Sequence, residues 1–165
     1  MILPDMKKQM LQFKKGFTLI EILLVVAILS VLLVVVFASL NPAARLEDAR
    51  NARRWNDVNQ VLTALHECIV DNDGSLTTCG LLTDPLLLSQ IGSCGTGGAT
   101  PCTGAETACL NLDGVAVLDD YIAGFPVDPT DPGVGKTAYA VQVTNGIITV
   151  SACQDEGGEV IQVAR

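Results

Sequence analysis

The chain has 165 residues, a formal net charge of −8, 49% hydrophobic residues and only 4% aromatic residues. This length leaves room for a single modest domain, whose core has to be mostly aliphatic because aromatic side chains are so scarce. The acidic balance opposes binding to a polyanion such as DNA, since phosphate contacts need clustered lysine or arginine side chains.

The first 40 residues combine a basic leader with a long apolar stretch. Four lysines (Lys7, Lys8, Lys14, Lys15) precede Gly16, and between Ile22 and Leu40 only Ser30 and Ser39 are polar. Together with residues 17–20 the stretch exceeds the roughly 20 residues that cross a hydrocarbon layer. The lysines predict a cytoplasmic leader with the rest of the chain across the membrane, although four arginines on the far side (Arg45, Arg50, Arg53, Arg54) weaken this asymmetry.

The position of Gly16 separates this segment from an ordinary secretory signal, in which cleavage follows the apolar core. Here the glycine comes before it, so cleavage after Gly16 would remove a polar peptide and keep the hydrophobic helix. An uncleaved signal anchor, with Gly16 as a linker, is the alternative. The removed piece would take four lysines and Asp5 with it, leaving 6 basic and 17 acidic side chains.

Residues 14–21 read Lys-Lys-Gly-Phe-Thr-Leu-Ile-Glu, which resembles the N-terminal signature of type IV pilins and of the related pseudopilins. The resemblance is strict over about residues 14–40. It implies cleavage between Gly16 and Phe17 by a prepilin peptidase and N-methylation of the new Phe17 amine. It also implies assembly into a helical filament through the apolar helix.

Glu21 is the only charged residue of the apolar helix, and an ionisable side chain in a span is a functional hypothesis by default. Thr18-x-x-Glu21 fits a capping box, which would explain Glu21 structurally. The functional alternative, which we favour, pairs Glu21 with a Phe17 amine, either its own or that of a neighbouring subunit. Such a pair would set the axial register between subunits.

Beyond the span, Asn41-Pro42 predicts an interruption of the helix. Apolar residues then recur at spacings of three and four, which predicts an amphipathic helix up to Asp71–Gly74; they are Trp55, Val58, Leu62, Leu65 and Ile69. Glu47–Arg50 and Arg53–Asp57 lie at helical spacings, so we interpret the arginine cluster as a solvated, salt-bridged face.

The last 90 residues predict a loop followed by strands. Residues 75–104 are rich in Gly, Thr, Ser and Cys, and we predict a long loop with a helical turn or two, with a short apolar patch at residues 86–88. Asn145-Gly146 between Thr137–Thr144 and Ile147–Cys153 predicts a β-hairpin, and Glu159–Val163 a third strand. A helix on an antiparallel meander is an α+β fold, and it resembles the pilin head.

All six cysteines lie after the span, as expected for disulfides in an oxidising compartment; they are Cys68, Cys79, Cys94, Cys102, Cys109 and Cys153. A zinc site is the competing interpretation, but there is no C-x-x-C pair and only one histidine, His66. Six cysteines allow 15 pairings, and the sequence cannot choose among them. Proximity in sequence favours Cys68–Cys79, Cys94–Cys102 and Cys109–Cys153.

Evidence for a ligand or for catalysis is thin. Phe125–Pro129 is similar to the proline-aspartate loop of pilins and pseudopilins, but the fuller pattern of major pseudopilins is absent. Asp128 and Asp131 are therefore weak calcium candidates, and we predict no resident metal or cofactor. His66 lies beside the apolar stripe without a recognisable nucleophile, so we predict a structural protein and not an enzyme.

These patterns predict four segments: a leader (1–16), a membrane and filament-core helix (17–40), an amphipathic helix (41–74) and a disulfide-stapled head (75–165). We expect a single-pass membrane protein with an extracytoplasmic head, which then becomes part of an extracellular filament. Its expected partners are copies of itself, the prepilin peptidase and an assembly platform in the inner membrane. The alternatives are a pseudopilin of a type II secretion system, a minor pilin, or an anchored binding module of a DNA-uptake pilus.

Overall fold

A computed structural model describes residues 16–81 and 83–165. The chain divides into two compact units, Met1–Pro42 and Ala43–Arg165. The first contains helix α1 (Leu19–Leu40), and the second contains nearly all of helix α2 (Pro42–Asp71) and a four-stranded sheet. The fold is α+β, as predicted.

The predicted interruption between the helices is confirmed. Helix α1 ends at Asn41, whose backbone is left-handed (φ 42°, ψ 71°), a conformation that asparagine tolerates better than most residues. Pro42 then opens α2 at the first helical position, where the missing N–H of proline does no harm.

Helix α2 buries the predicted apolar stripe. Val58, Leu62 and Leu65 lie in the core, with Trp55 and Ile69 partly buried at its margins. The helix ends at Asp71, and the N–H of Gly74 donates to the carbonyl of Ile69 at 2.8 Å. Gly74 has a φ of +81°, so a glycine there costs no steric strain.

The sheet is an antiparallel meander with strands in chain order. The strands are β1 (Leu86–Gly92), β2 (Lys136–Thr144), β3 (Ile147–Ala152) and β4 (Gln162–Ala164). The predicted hairpin is confirmed, and Asn145 and Gly146 both have positive φ (54° and 78°), as a type I′ turn requires. The predicted third strand exists as β4, which begins at Gln162 instead of Glu159.

Strand β1 was missed by the sequence analysis, which assigned residues 75–104 to a loop with helical turns. The prediction was wrong because a short apolar run does not distinguish a strand from a helix or a loop. The outer edge of β1 is covered by a neighbouring segment, since the N–H groups of Glu106 and Leu110 donate to the carbonyls of Leu88 and Gln90, both at 2.8 Å.

The core lies between α2 and one face of the sheet. Tyr139, Val141 and Val143 of β2 are fully buried and form part of the same cluster as Val58 and Leu65. The opposite face of β2 is also covered, because Ala140 packs with Cys102 and Ala105 of the β1–β2 connection. A short 3₁₀ helix (Ala116–Asp120) in this connection adds Leu118 to the main core.

Candidate functional site: the N-terminal motif and the head

The start of α1 is a reciprocal capping box. The N–H and the hydroxyl of Thr18 both donate to Glu21 Oε2 at 2.8 Å, and the N–H of Glu21 donates to Thr18 Oγ1 at 3.3 Å. The predicted cap is therefore present. It satisfies main-chain N–H groups that would otherwise lack a partner at a helix start.

The rest of α1 presents an apolar surface in every direction. Each residue of α1 is exposed within this chain, and Glu21 is its only charged residue. The hydroxyls of Ser30 and Ser39 donate to the helix's own carbonyls, at Ala27 (2.8 Å) and Val35 (2.9 Å), so neither needs an outside partner. With 22 residues the helix is about 33 Å long, enough to cross a hydrocarbon core of about 30 Å.

The residues on either side of the expected cleavage site, Gly16 and Phe17, are not packed against the rest of the described chain. Phe17 is 83% exposed, and a Cβ added at Gly16 would meet no atom within 4 Å. The fold itself therefore does not require glycine at position 16. Residues 1–15 of the predicted leader lie outside the described residues.

Comparison with known families agrees with this geometry. A family model described as the prokaryotic N-terminal methylation motif matches residues 12–37. The chain carries the N-terminal signature of type IV pilins and pseudopilins. No curated protein and no solved structure matches the chain.

The match covers the end of the leader and most of α1, and it leaves the head uncovered. Together with the apolar helix it fits a membrane-anchored, single-pass, pilin-like protein. The motif is that of a structural family, and it suggests processing by a prepilin peptidase and membrane-associated filament assembly. The head has to be interpreted from its own residues.

The head contains a polar cluster with a buried centre and a partly exposed edge, here called the polar clamp and formed by Arg50, Asn51, Arg54, Asp128 and Glu156. Arg54 donates to both carboxylate oxygens of Asp128 (2.6 and 3.0 Å), and neither side chain has any exposed surface. Arg54 also donates to Glu156 at 2.8 Å, and Arg50 donates to Glu156 through two nitrogens at 2.6 and 2.7 Å. The clamp thus fastens α2 to the loops before β2 and after β3.

Two sequence-based interpretations are corrected by the clamp. The arginine cluster was assigned to a solvated face; Arg53–Asp57 pairs as predicted at 3.7 Å, but Arg50 pairs with Glu156 and not with Glu47. Arg54 is fully buried. Partners that are distant in sequence determine which arginines are buried, because an arginine that binds two carboxylates can be buried on an otherwise polar helix face.

The ionisation of the clamp follows from its hydrogen bonds. Donation from Arg50, and then from Arg54, lowers the pKa of Glu156 to about 2. Burial opposes ionisation of Asp128, but hydrogen bonds from Arg54 and Thr130 outweigh it, so the pKa of Asp128 lies below its usual value. The bond to Asp128 raises the pKa of Arg54. All of these groups are therefore charged at neutral pH.

A second buried contact lies one turn further along α2. The Tyr139 hydroxyl of β2 donates to Asp57 Oδ2 at 2.6 Å, and Tyr139 is fully buried. Burial, together with this bond and the Asp57 charge, raises the pKa of Tyr139. The phenol therefore remains a hydrogen-bond donor and ties the middle of the sheet to the helix.

The weak calcium assignment of Asp128 and Asp131 is not supported by the geometry. Both carboxylate oxygens of Asp128 are occupied by Arg54 and Thr130, and Asp131 Oδ1 accepts the N–H of Gly133 at 3.2 Å. Over residues 16–81 and 83–165, no group of three or more metal-ligating side chains comes together. Asp128 has a structural role that the sequence analysis missed.

All six cysteines form disulfides, and one of the three predicted pairings is confirmed. Cys68–Cys79 ties the end of α2 to the loop that follows it, as predicted. The other two predicted pairings are wrong: the structure joins Cys94 to Cys109 and Cys102 to Cys153. Proximity in sequence misled the prediction, because the segment around Leu110 forms an isolated bridge with the end of β1 and so brings Cys109 beside Cys94, where its N–H donates to the Cys94 carbonyl at 2.9 Å.

The histidine has a structural environment. His66 Nε2 lies 3.2 Å from the main-chain carbonyl oxygen of Arg165, which is the next residue after β4. A histidine that holds a strand end against a helix needs no catalytic role. The contact of His66 thus anchors the end of the chain to α2.

Proposed function

We propose that the chain is a structural subunit of a type IV pilus-like filament, assembled through α1. One observation carries the proposal: a helix long enough to cross the membrane is apolar on every side, has one carboxylate at its start and lies within a methylation motif. A simple anchor needs only the apolar surface. The carboxylate at the helix start caps the helix and, in this proposal, also pairs with a Phe17 amine.

Processing comes first in this proposal. Prepilin peptidase cleaves between Gly16 and Phe17 after α1 has entered the membrane, and the new Phe17 amine is then methylated. The exposure of both residues in the described chain supports access by an enzyme. Cleavage leaves residues 17–40 as the segment that anchors each subunit and later lies in the filament core.

Cleavage also changes what Glu21 can bind. In the uncleaved chain its carboxylate accepts two hydrogen bonds from Thr18. In the processed chain a cationic amine is present at Phe17, about 6 Å away along the helix at 1.5 Å per residue. In a filament, the amine of a neighbouring subunit offers a second partner in an apolar environment.

The energetics favour a partner for Glu21 once lipid is excluded. Moving an apolar helix from lipid to a helical core gains little hydrophobic free energy, so packing and polar pairs decide association. Leaving one member of a buried ion pair without its partner costs about 3–5 kcal/mol. Pairing of Glu21 with a Phe17 amine therefore fixes the axial position of one subunit on the next.

The same features serve a pseudopilin of a type II secretion system or a minor pilin. A DNA-binding module is less well supported, because two of the four arginines near the start of α2 are engaged in the clamp and the processed chain is strongly acidic. In this proposal the protein is first anchored in the membrane with its head outside the cytoplasm, and it then becomes part of the filament.

Electron microscopy of material sheared from cells, combined with mass spectrometry of its protein, tests the proposal. We expect filaments whose subunits begin at Phe17. Abundance in the filament separates a major subunit from a minor or initiating one. The proposal is wrong if the protein stays in the membrane under conditions in which the cells assemble filaments without it.

A further inference from the structure

The side chain of Gln90, in β1, lies between two of the three disulfides and has no exposed surface. Its Nε2 donates to Cys102 Sγ at 3.2 Å, and its Oε1 lies 3.6 Å from Cys109 Sγ. Over residues 16–81 and 83–165, the amide group has no other hydrogen-bonding contact. Both ends of this buried amide therefore face sulfur atoms.

The oxygen of this amide lacks a donor while the disulfides are intact. Cys109 is bonded to Cys94, and a disulfide sulfur carries no proton that it could donate to Gln90 Oε1. A buried acceptor without a donor is costly, because it has lost its hydrogen bonds to water and gained none in return. A thiol at Cys109 would supply the missing donor from the same position. Gln90 thus favours the reduced form of Cys109 over the oxidised form.

The disulfide beside Gln90 Oε1 is also the one in which neither cysteine is buried. Cys94 and Cys109 are both half-buried, whereas Cys68 and Cys79 have no exposed surface and Cys102 is 2% exposed. Thiol–disulfide exchange begins with attack of a thiolate on a disulfide sulfur, so it depends on access to that sulfur. Access and the missing hydrogen bond therefore both single out the same disulfide.

Reduction of this disulfide would loosen the segment that covers the outer edge of β1 without detaching it. The covering segment, residues 95–110, also contains Cys102, which stays bonded to Cys153. The N–H of Cys109 donates to the Cys94 carbonyl at 2.9 Å, in addition to the two main-chain bonds to β1 described above. Neither Cys94 nor Cys109 belongs to the main core. The head therefore keeps its fold when this bond opens, and the covering segment gains freedom.

We propose that the Cys94–Cys109 disulfide is a reversible redox site of the head, which a dithiol reductant opens before the other two disulfides, and that Gln90 sets this preference. A thiolate of the dithiol attacks one sulfur of the pair, which breaks the Cys94–Cys109 bond and forms a mixed disulfide. The second thiol of the reductant then attacks the reductant's own sulfur in this mixed disulfide and releases the remaining cysteine.

The exchange is balanced by the reductant alone. Two electrons pass to the protein, the dithiol becomes a cyclic disulfide, and its two protons end on Cys94 and Cys109. The new Cys109 thiol then donates to Gln90 Oε1. This inference concerns the head alone and goes beyond filament assembly.

Equilibration with graded ratios of reduced to oxidised dithiothreitol tests the order of opening. The detergent-solubilised full chain is equilibrated under native conditions, its free thiols are alkylated, and the peptides are mapped by mass spectrometry. We expect alkylation of Cys94 and Cys109 at ratios that leave the other four cysteines protected. Hydrogen exchange in the same samples should become faster at the amides of Glu106, Cys109 and Leu110 and remain unchanged in α2.

Gln90→Met isolates the role of the amide, because methionine is also unbranched and has no oxygen that could accept a thiol proton. The variant should need an about fivefold higher ratio of reduced to oxidised reductant to open Cys94–Cys109, as expected for the loss of one buried hydrogen bond. A purely structural role of Gln90 predicts the opposite sign, since a loosened fold makes a disulfide easier to reduce. Gln142→Met, which changes an exposed glutamine of β2, is the matched control and should behave like wild type.

The order of opening in the wild type needs no variant, so it tests the inference even where Gln90→Met does not fold. Opening of either of the other disulfides first, or of all three together, would overturn the inference. Equal or easier reduction of Cys94–Cys109 in a folded Gln90→Met variant would also overturn it, because the amide would then not set the preference. None of these measurements requires filaments, so their failure leaves the proposed function intact.

Discussion

Arg54 of α2 and Asp128 of the loop before β2 form a doubly hydrogen-bonded ion pair in which neither side chain reaches solvent. The two residues are separated by 74 positions in the sequence. The hydrophobic core of the head is small and mostly aliphatic. The Arg54–Asp128 pair, together with Glu156, adds a polar connection between α2 and the loops. The clamp therefore contributes to the stability of the head, and through it to assembly, more than to any chemical reaction.

Breaking the pair from one side should destabilise the head strongly. Asp128→Asn removes the fully buried partner of Arg54 and leaves only the partly exposed Glu156 as its countercharge, and removing one partner of a buried pair costs about 3–5 kcal/mol. Replacing both residues, as Arg54→Met with Asp128→Leu, should cost clearly less, because no buried charge is left unpaired. Denaturant unfolding of the detergent-solubilised full chain measures both changes.

Arg45→Ala is the matched control for the clamp, because its ion pair with Asp48 is exposed. It should change the free energy of unfolding by less than about 1 kcal/mol. An Asp128→Asn variant as stable as Arg45→Ala would show that the clamp contributes little.

The lowered pKa of Glu156 predicts how the stability of the head falls at acid pH. Its pKa is lowered from 4.5 to about 2 in the folded state, so its contribution is fully present above the unfolded value and is lost as the pH falls towards 2. Glu156→Gln should be less stable than wild type at neutral pH and should lose less stability between pH 5 and pH 2. Unfolding curves recorded across this range test the sign.

Asp155→Asn provides the comparison for Glu156, since Asp155 is an exposed neighbour. We expect this variant to follow the wild-type acid curve. If Glu156→Gln also follows it, the ion pair with Arg50 and Arg54 has no role in acid stability.

The sequence predicted those elements that depend on local pattern. The stripe through Val58, Leu62 and Leu65, the interruption at Pro42 and the Asn145-Gly146 turn follow from helical period, backbone restriction and turn chemistry, and all three are confirmed. The N-terminal signature was equally readable, because eight adjacent residues carry it.

The failures have a shared physical cause. The burial of Arg54, the role of Asp128 and the two Cys pairings depend on tertiary contacts between residues at sequence separations from 15 to 74. Local spacing contains no information on such contacts. Strand β1 was missed for a related reason, since its apolar run becomes a strand only by pairing with β2.

Disulfide mapping tests the corrected pairings. Non-reducing peptide mapping of exported protein should give Cys68–Cys79, Cys94–Cys109 and Cys102–Cys153. Loss of Cys102–Cys153, which closes the longest loop, should destabilise the head by about 2–5 kcal/mol. Recovery of Cys94–Cys102 and Cys109–Cys153 peptides, or of six free thiols, would contradict the arrangement.

Gly16→Val should block processing while leaving the fold and membrane insertion intact. A side chain at position 16 meets no atom of the described chain, so a loss of processing in this variant would not result from misfolding. Mass spectrometry should show wild-type protein starting at Phe17 with an added methyl group, and the variant with residues 1–16 attached.

Gly124→Val is the control for the added side chain, because Gly124 likewise has no atom within 4 Å of an added Cβ. It should be cleaved normally. A Gly16→Val protein that still begins at Phe17 would show that cleavage does not require glycine, and assembled wild-type protein that retains residues 1–16 would rule out cleavage at this position.

Glu21→Ala and Glu21→Gln distinguish a filament subunit from a simple anchor. Either change removes a charge from an apolar helix, so residence in the membrane should become easier. If Glu21 serves only the capping box, the variants should lose a little local stability at the helix start and nothing else. If it pairs with a Phe17 amine across subunits, both should be inserted and cleaved normally yet fail to polymerise.

The measurement compares the membrane pool with sheared filaments in the wild type and both variants, with Thr18→Ala as a variant that weakens the cap and keeps the carboxylate. We expect Thr18→Ala to assemble; normal filament yields from both Glu21 variants would remove the support for a register-setting ion pair and favour an anchored module.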